Sequence, residues 1–204
     1  MTEEDFQHRL KELYQPPKNE FTYVHVPKMK YMVIDGQGDP GQNGMDAAIK
    51  WLYSIAHFLI PLAKERMGKN FVYPPVECLF WADSESDFIV ANKAKWLWRA
   101  MIVLADWMTQ ERVNDAIVQA EEKLGAQPPE SLRVEYLEEG QSVQIMHVGD
   151  YSEIGVLCEK LYKEFLRDNN LVPNGAYHEI YLSDPNRTAP EKRRVVIRQP
   201  VNPA

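Results

Sequence analysis

Apolar residues recur along this chain in two alternating rhythms, one of period 3.6 and one of period 2, which predict helices and strands respectively. Over residues 45–67, Ile49, Leu52, Tyr53, Ala56, Leu59, Ile60 and Ala63 share one helical stripe, and Gly68 stands where a helix-ending glycine belongs. Pro61 lies inside that helix and should kink it or displace its last turn. A second helix is predicted over 110–124, capped by Thr109 and closed by Gly125, and a third over 153–168, with Ser152 as its candidate cap. The third carries Ile154, Leu157, Cys158, Leu161 and Phe165 on one stripe. A short amphipathic helix over 4–14 ends at Pro16-Pro17. Strands are predicted at 30–35, 75–82, 95–104, 132–137, 142–148, around Tyr177 and at 193–199.

The elements repeat. Each half reads strand, helix, strand, strand, over about 28–125 and 130–201, after an N-terminal arm of residues 1–25. Asp35-Gly-Gln-Gly-Asp-Pro corresponds to His147-Val-Gly-Asp-Tyr as the turn before a helix. Trp81-Ala-Asp83 corresponds to Leu182-Ser-Asp184, and Arg99-Ala-Met-Ile-Val to Arg194-Val-Val-Ile-Arg. Neither half has much core alone, so the expected fold is α+β: two modules in a single domain (26–204), related by a pseudo-two-fold axis. Antiparallel sheets would then carry helices on one face and a ligand cleft on the other.

Charge and composition narrow the function. The 204 residues carry a net charge of −7, which disfavours a nucleic-acid surface built from clustered Lys and Arg. Lys192-Arg-Arg194 reads as a solvated strand end. No stretch reaches the roughly 18–20 apolar residues of a membrane span, and no signal peptide is evident, so a cytoplasmic location is expected. Cys78 and Cys158 lack metal-ligand spacing, and His147 has no metal-ligand partner, so neither metal nor cofactor is expected. The Gly36–Gly41 turn lacks the spacing and lysine of a phosphate loop.

The candidate chemistry centres on Tyr177-His-Glu-Ile-Tyr181. Alternation along a strand puts Tyr177, Glu179 and Tyr181 on one face. That face offers one charge, two hydroxyls and two flat apolar surfaces, which suits a pocket; an ordinary exposed sheet face would read the same. Walled by aromatics, Glu179 would lose hydration, which raises a carboxylate's pKa and makes it a better base, or it would serve as the counter-charge of a cation. The chain has five tryptophans. Trp96 and Trp98 share a face, Trp81 ends the neighbouring strand, and Trp107 precedes the second helix. All four fit the stacking walls of a planar ligand or simple core packing.

Four segments carry a resemblance: Met32-Val-Ile-Asp-Gly-Gln-Gly-Asp-Pro, Trp96-Leu-Trp-Arg-Ala-Met-Ile, His147-Val-Gly-Asp-Tyr151, and Tyr177-His-Glu-Ile-Tyr-Leu-Ser-Asp-Pro followed by Val196-Ile-Arg-Gln-Pro-Val. In this order they resemble standalone GyrI-like small-molecule-binding proteins, relatives of the effector-binding domains of multidrug-sensing regulators, from about residue 20 onward. The N-terminal arm and the extra tryptophans depart from the shortest members. The resemblance implies a cleft for planar aromatic or cationic molecules, with Glu179 at its centre. It also implies an enzyme candidate, because a subset of such proteins hydrolyses cyclopropane-bearing DNA-alkylating compounds. In that role Glu179 would activate water, and Tyr151 would donate to the developing phenolate, with Tyr177 or Tyr181 as alternatives. The competing reading is a non-catalytic module that sequesters drugs or acts on a partner protein such as a topoisomerase. A monomer or weak homodimer without a DNA-binding head is expected.

Overall fold

The computed structural model describes residues 3–42, 44–68, 73–84 and 92–204. It is a mixed α+β structure whose strands all pair antiparallel, and its chain contacts divide it into two units. Residues 1–7 and 29–137 make the first, and residues 8–28 and 138–204 the second.

In the first unit, β2 (Met29–Gln37), α2 (Met45–Met67), β3 (Glu77–Trp81), β4 (Leu97–Leu104), α3 (Gln110–Leu124) and β5 (Arg133–Leu137) follow in order. Their sheet runs β3-β4-β2-β5. Near-continuous apolar runs in β2 and β4 leave Met32, Val33, Ile34 and Ala100 to Leu104 buried. Leu52, Ile55 and Leu59 of α2 and Val113, Ala116 and Ala120 of α3 supply the helical core. Helix α2 runs through Pro61 to Met67, and Gly68, at φ 95°, donates its N–H to the Lys64 carbonyl. Thr109 caps α3 by accepting from the Arg112 N–H at 3.4 Å, and Gly125 ends it at φ 61°.

The edge of this sheet is tied by charge. Arg99 spans Asp35 (Nε–Oδ1 2.6 Å) and Glu135, and Arg133 spans Asp35 (2.8 Å) and Glu135 (2.7 Å). Partial burial alone would raise the Asp35 pKa; hydrogen bonds and attraction from Arg99 and Arg133 outweigh it and hold the carboxyl below its usual range.

In the second unit, β1 (Thr22–Val26), β6 (Gly140–Val148), β8 (Tyr177–Tyr181) and β9 (Arg194–Pro203) form the sheet β1-β6-β9-β8, with β7 (Leu171–Pro173) on β9. Helix α4 spans residues 154–168. Strands β1 and β7 leave no mark in the apolar pattern, because β1 alternates weakly and β7 has only three residues. Strand β1 comes from the segment that the pattern assigns to the N-terminal arm, and it pairs with β6 along its whole length.

Two local expectations change. The side chain that accepts from the first N–H groups before α4 is Asp150, bonded to Ser152 N at 2.9 Å and Ser152 Oγ at 2.6 Å, so Asp150 is the cap and Ser152 the donor. Helix α4 contains a π-turn over Leu161–Phe165, which inserts one residue into the helical register. Leu161 and Leu166, five apart, therefore face the core, and Phe165 is only partly buried against it.

The two faces of this sheet have different covers. Cys158 and Tyr162 of α4 reach Tyr177 and Gln199, which lie on the Glu179 face. The helix thus shares a face with Glu179 rather than lying opposite it, because its hydroxyl- and thiol-bearing stripe pairs with the polar residues of that face. The other face presents a polar row, Thr22, Gln144, Arg198 and His178, aligned across four strands. The end of α1 (Glu3–Tyr14) covers it: Arg198 donates from Nη2 to the Leu13 carbonyl at 2.8 Å. Arg198 also reaches Gln144 at 3.1 Å and Glu139 at 2.9 Å, while His178 Nδ1 meets Glu139 at 2.9 Å. Burial alone would raise the Glu139 pKa; the opposite charges of His178 and Arg198 lower it to about 2.

Candidate functional site

Strand alternation sets Tyr177, Glu179 and Tyr181 side by side on one face of β8, and both tyrosines bond to the carboxylate between them. The Tyr177 hydroxyl donates to Glu179 Oε1 at 2.9 Å, and the Tyr181 hydroxyl donates to Glu179 Oε2 at 2.5 Å. Each carboxylate oxygen therefore accepts one phenol proton, an arrangement that stabilises the charged form of the acid.

Beneath α4 the chain of bonds continues, since the Cys158 thiol lies 3.3 Å from the Tyr177 hydroxyl and donates to it. Tyr177 is buried at 6% exposure, while Glu179 and Tyr181 remain partly exposed. Burial, reinforced by the Glu179 charge, pushes the Tyr177 phenol well above its ordinary pKa, so it stays a neutral donor. Burial also pushes the Cys158 thiol up to about 11, which makes it a donor and not a thiolate nucleophile.

At the other end of β8, Tyr151 meets Tyr181 edge-on, with ring centroids 5.8 Å apart at 61°. It stands in the short helical turn Tyr151–Glu153 that leads into α4, with its hydroxyl oxygen shielded from bulk water. His147 holds that turn, its Nε2 lying 3.0 Å from the Asp150 carbonyl oxygen. The Arg193 guanidinium lies over the Tyr151 ring at 5.1 Å from its centroid. Glu179, Tyr177, Tyr181 and Tyr151 are thus one cluster within the second unit.

The four tryptophans lie in the first unit. Trp96 packs near Phe80 (5.8 Å between centroids), and Phe80 is the register partner of Trp98. Trp98 is buried at 3% exposure, and a Cβ at Gly36 would stand 2.0 Å from its ring, so this indole occupies the space a side chain at residue 36 would need. Trp81 points to the opposite face from Phe80 and Trp98, and Trp107 lies under the Arg66 guanidinium at 4.9 Å. Trp96 also lines a cavity of about 660 Å³ with Gln37, Gly38, Asp83, Ala94, Lys95 and Leu97. The structure therefore brings Trp96 and Trp98 onto one face with Phe80 and separates Trp81 and Trp107 from them.

Sequence reasoning missed Cys158 and Arg193 as neighbours of the cluster. Cys158 touches Tyr177 only because α4 lies on that face, and Arg193 is 42 positions from Tyr151 along the chain. Neither carries a local signal. Among the described residues no group of three or more His, Cys, Asp or Glu is placed to hold a metal ion. No described helix is long and apolar enough to cross a membrane.

The fold is that of an α+β protein with a tyrosine–glutamate cluster on one sheet. The model of the GyrI-like small molecule binding domain matches residues 19–202, and the chain belongs to that family. An uncharacterized conserved protein from Listeria innocua is 31% identical, with a TM-score of 0.81, covering 97% of this chain and 98% of that one. A hydrolase from Listeria innocua is 30% identical over the same shares, with a TM-score of 0.73. The C-terminal domain of EcmrR shares the fold at 12% identity, with a TM-score of 0.56 over 91% of this chain and 98% of that one. No curated protein matches the sequence.

Proposed function

We propose that this protein binds planar aromatic molecules at the Glu179 cluster and hydrolyses those that carry a strained cyclopropane fused to a dienone. The observation that carries the reading is a partly exposed carboxylate held between two phenol donors, with a third phenol beside them. The Listeria hydrolase, similar along nearly its whole length, supports the enzymatic side.

The reaction needs little from the protein. Glu179 takes a proton from water as the water oxygen bonds to the cyclopropane CH2 carbon. The bond from that carbon to the ring breaks, and its electron pair runs through the dienone to the carbonyl oxygen. That oxygen becomes a phenolate, which Tyr151 protonates. Once the product leaves and water enters the site, Glu179 gives up its proton and Tyr151 is reprotonated, so the net change is addition of one water. Because aromatisation and strain release drive the opening, an ordinary carboxylate suffices as the base. Tyr177 and Tyr181 already donate to Glu179, which favours Tyr151 as the donor to the phenolate.

The same two bonds favour a second reading. They hold the Glu179 carboxylate in place without a ligand, which suits a fixed counter-charge for a bound cation flanked by aromatic faces. In that case the protein sequesters drugs and turns nothing over. Two free cysteines, Cys78 and Cys158, accord with work in a reducing compartment such as the cytoplasm.

The test is turnover with a large excess of a cyclopropane-bearing alkylating compound, followed by mass spectrometry. Many equivalents of a water adduct are expected from the native protein, and Glu179→Gln should lower kcat by about 10²–10⁴-fold while a neutral planar dye still binds. One equivalent bound and no adduct would establish the sequestering module instead.

A further inference from the structure

Arg193 belongs by sequence to a basic strand end, yet its side chain is only 20% exposed. Its guanidinium is fixed from several sides. Nε donates to the Thr188 carbonyl at 3.3 Å and Nη2 to the Pro185 carbonyl at 3.1 Å, both in the loop between β8 and β9. Nη1 lies 4.0 Å from Asp150 Oδ2. The Arg193 backbone joins in, with its carbonyl accepting from the Gly149 N–H at 3.0 Å and its N–H donating to the Pro190 carbonyl at 3.1 Å. The same guanidinium lies over the Tyr151 ring, its Cζ 5.1 Å from the centroid.

We propose that Arg193 is a positioning residue of the Glu179 site that acts through Tyr151, holding the phenol edge-on to Tyr181 and lending it positive charge. The assignment rests on the reading of Tyr151 as the donor to the developing phenolate. A cation over a ring favours the phenolate over the phenol, so it strengthens the hydrogen bond that Tyr151 gives as negative charge builds on the ligand. The contact, together with the edge-on contact to Tyr181, also restrains the ring, which a hydroxyl aimed at one atom requires. The charged and titratable groups placed around Tyr151 include Arg193 from the β9 end, Tyr181 with Glu179 behind it from β8, and His147, Asp150 and Glu153 from its own turn. Asp150 is partly exposed and pairs with Arg193 at 4.0 Å, so its charge is screened at the ring. The same guanidinium bonds the loop over 183–192, and the loop's conformation is thereby coupled to the ring.

The experiment uses the ligand-free full chain with 13C at tyrosine Cζ, the Tyr151 resonance being the one lost in Tyr151→Phe. Its titration midpoint should move to higher pH in Arg193→Met and return toward the native value in Arg193→Lys. In the turnover assay Arg193→Met should lower kcat about tenfold with KM within about twofold. Arg193→Lys should recover only part of that rate, because an ammonium restores charge but neither the guanidinium contact with the ring nor the fork to Pro185 and Thr188. An unchanged midpoint in Arg193→Met would overturn the proposal. So would equal displacement in the Met and Lys variants, which would mark a structural loss with no contribution from charge. Should Arg193→Met not fold, Arg193→Gln, also neutral, makes the same comparison. The titration needs no substrate, so it stands even if the protein proves to sequester ligands without turnover.

Discussion

Strands β3 and β8 occupy the same place in their respective units, and their side chains have opposite characters. The register within each unit fixes the match: Gln37 pairs with Leu97 in the first, Val148 with Arg194 in the second, and each closing strand then meets β3 or β8. Val76, Cys78 and Phe80 thereby stand where Tyr177, Glu179 and Tyr181 do. The first trio is 3%, 0% and 4% exposed, whereas Glu179 and Tyr181 remain partly open. At the position matching His147 the first unit has Gly36, with the Trp98 ring in the space beside it. One module thus fills the region with hydrocarbon and indole; the other leaves it polar and hydrogen-bonded. The two units share an order of strands, and at this place only the second carries a charge. The reverse faces differ too, with Val33, Met101 and Glu77 in the first unit matching Gln144, Arg198 and His178 in the second.

The largest break in this comparison comes from emptying the apolar copy. Phe80→Ala should cost about 3–5 kcal/mol in chemical denaturation, the range for deleting a buried aromatic, with dye affinity per folded molecule unchanged. A loss of affinity matching the loss of stability would mean that the first module is also part of the ligand site.

Acid should distinguish the charged networks. The Glu139 side chain is only 12% exposed and its pKa falls from 4.5 to about 2 on folding, so the stability it contributes is fully present above pH 4.5 and fades as the pH drops through about 2. Amide protection in β8 and β9 should decline through that window by hydrogen exchange. Asp35 is depressed as well, but at about one-third exposure its pairs with Arg99 and Arg133 are screened, and β2 and β5 should lose less. Equal loss in both sheets would show that burial does not set the difference.

The smallest effect is expected from Tyr181→Phe, which removes one hydrogen bond to Glu179 and leaves the ring. Stability should change by about 1 kcal/mol, while affinity for a cationic dye shifts measurably because the carboxylate loses one of its two donors. No change in dye binding would remove Tyr181 from the site.

Much of this was legible from periodicity. The helices over Met45–Met67 and Gln110–Leu124 match their predicted limits, because each has a dense apolar stripe and a glycine just past its end. The face shared by Tyr177, Glu179 and Tyr181 followed from alternation alone. The correspondence of the closing strands was set two residues off: by register within each unit, Leu97, and not Arg99, takes the place that Arg194 takes in the second, a slip that the similar apolar runs conceal. The π-turn in α4 was out of reach, since one inserted residue leaves the composition unchanged. So was the Glu139–His178–Arg198 cluster, whose members are 20 to 59 positions apart and look like surface residues until a sheet aligns them.

All five tryptophans fall between residues 51 and 107, inside the first unit, while Tyr151, Tyr177 and Tyr181 fall in the second. The molecule is thereby divided optically. Light absorbed at the red edge of the indole band excites the first module alone, and its emission reports the surroundings of that module. Changes in the phenol bands include the second. An emission change on adding a ligand would trace a disturbance that reaches residues 29–137, whereas a ligand that perturbs phenol absorbance under constant emission would be acting on the Glu179 strand.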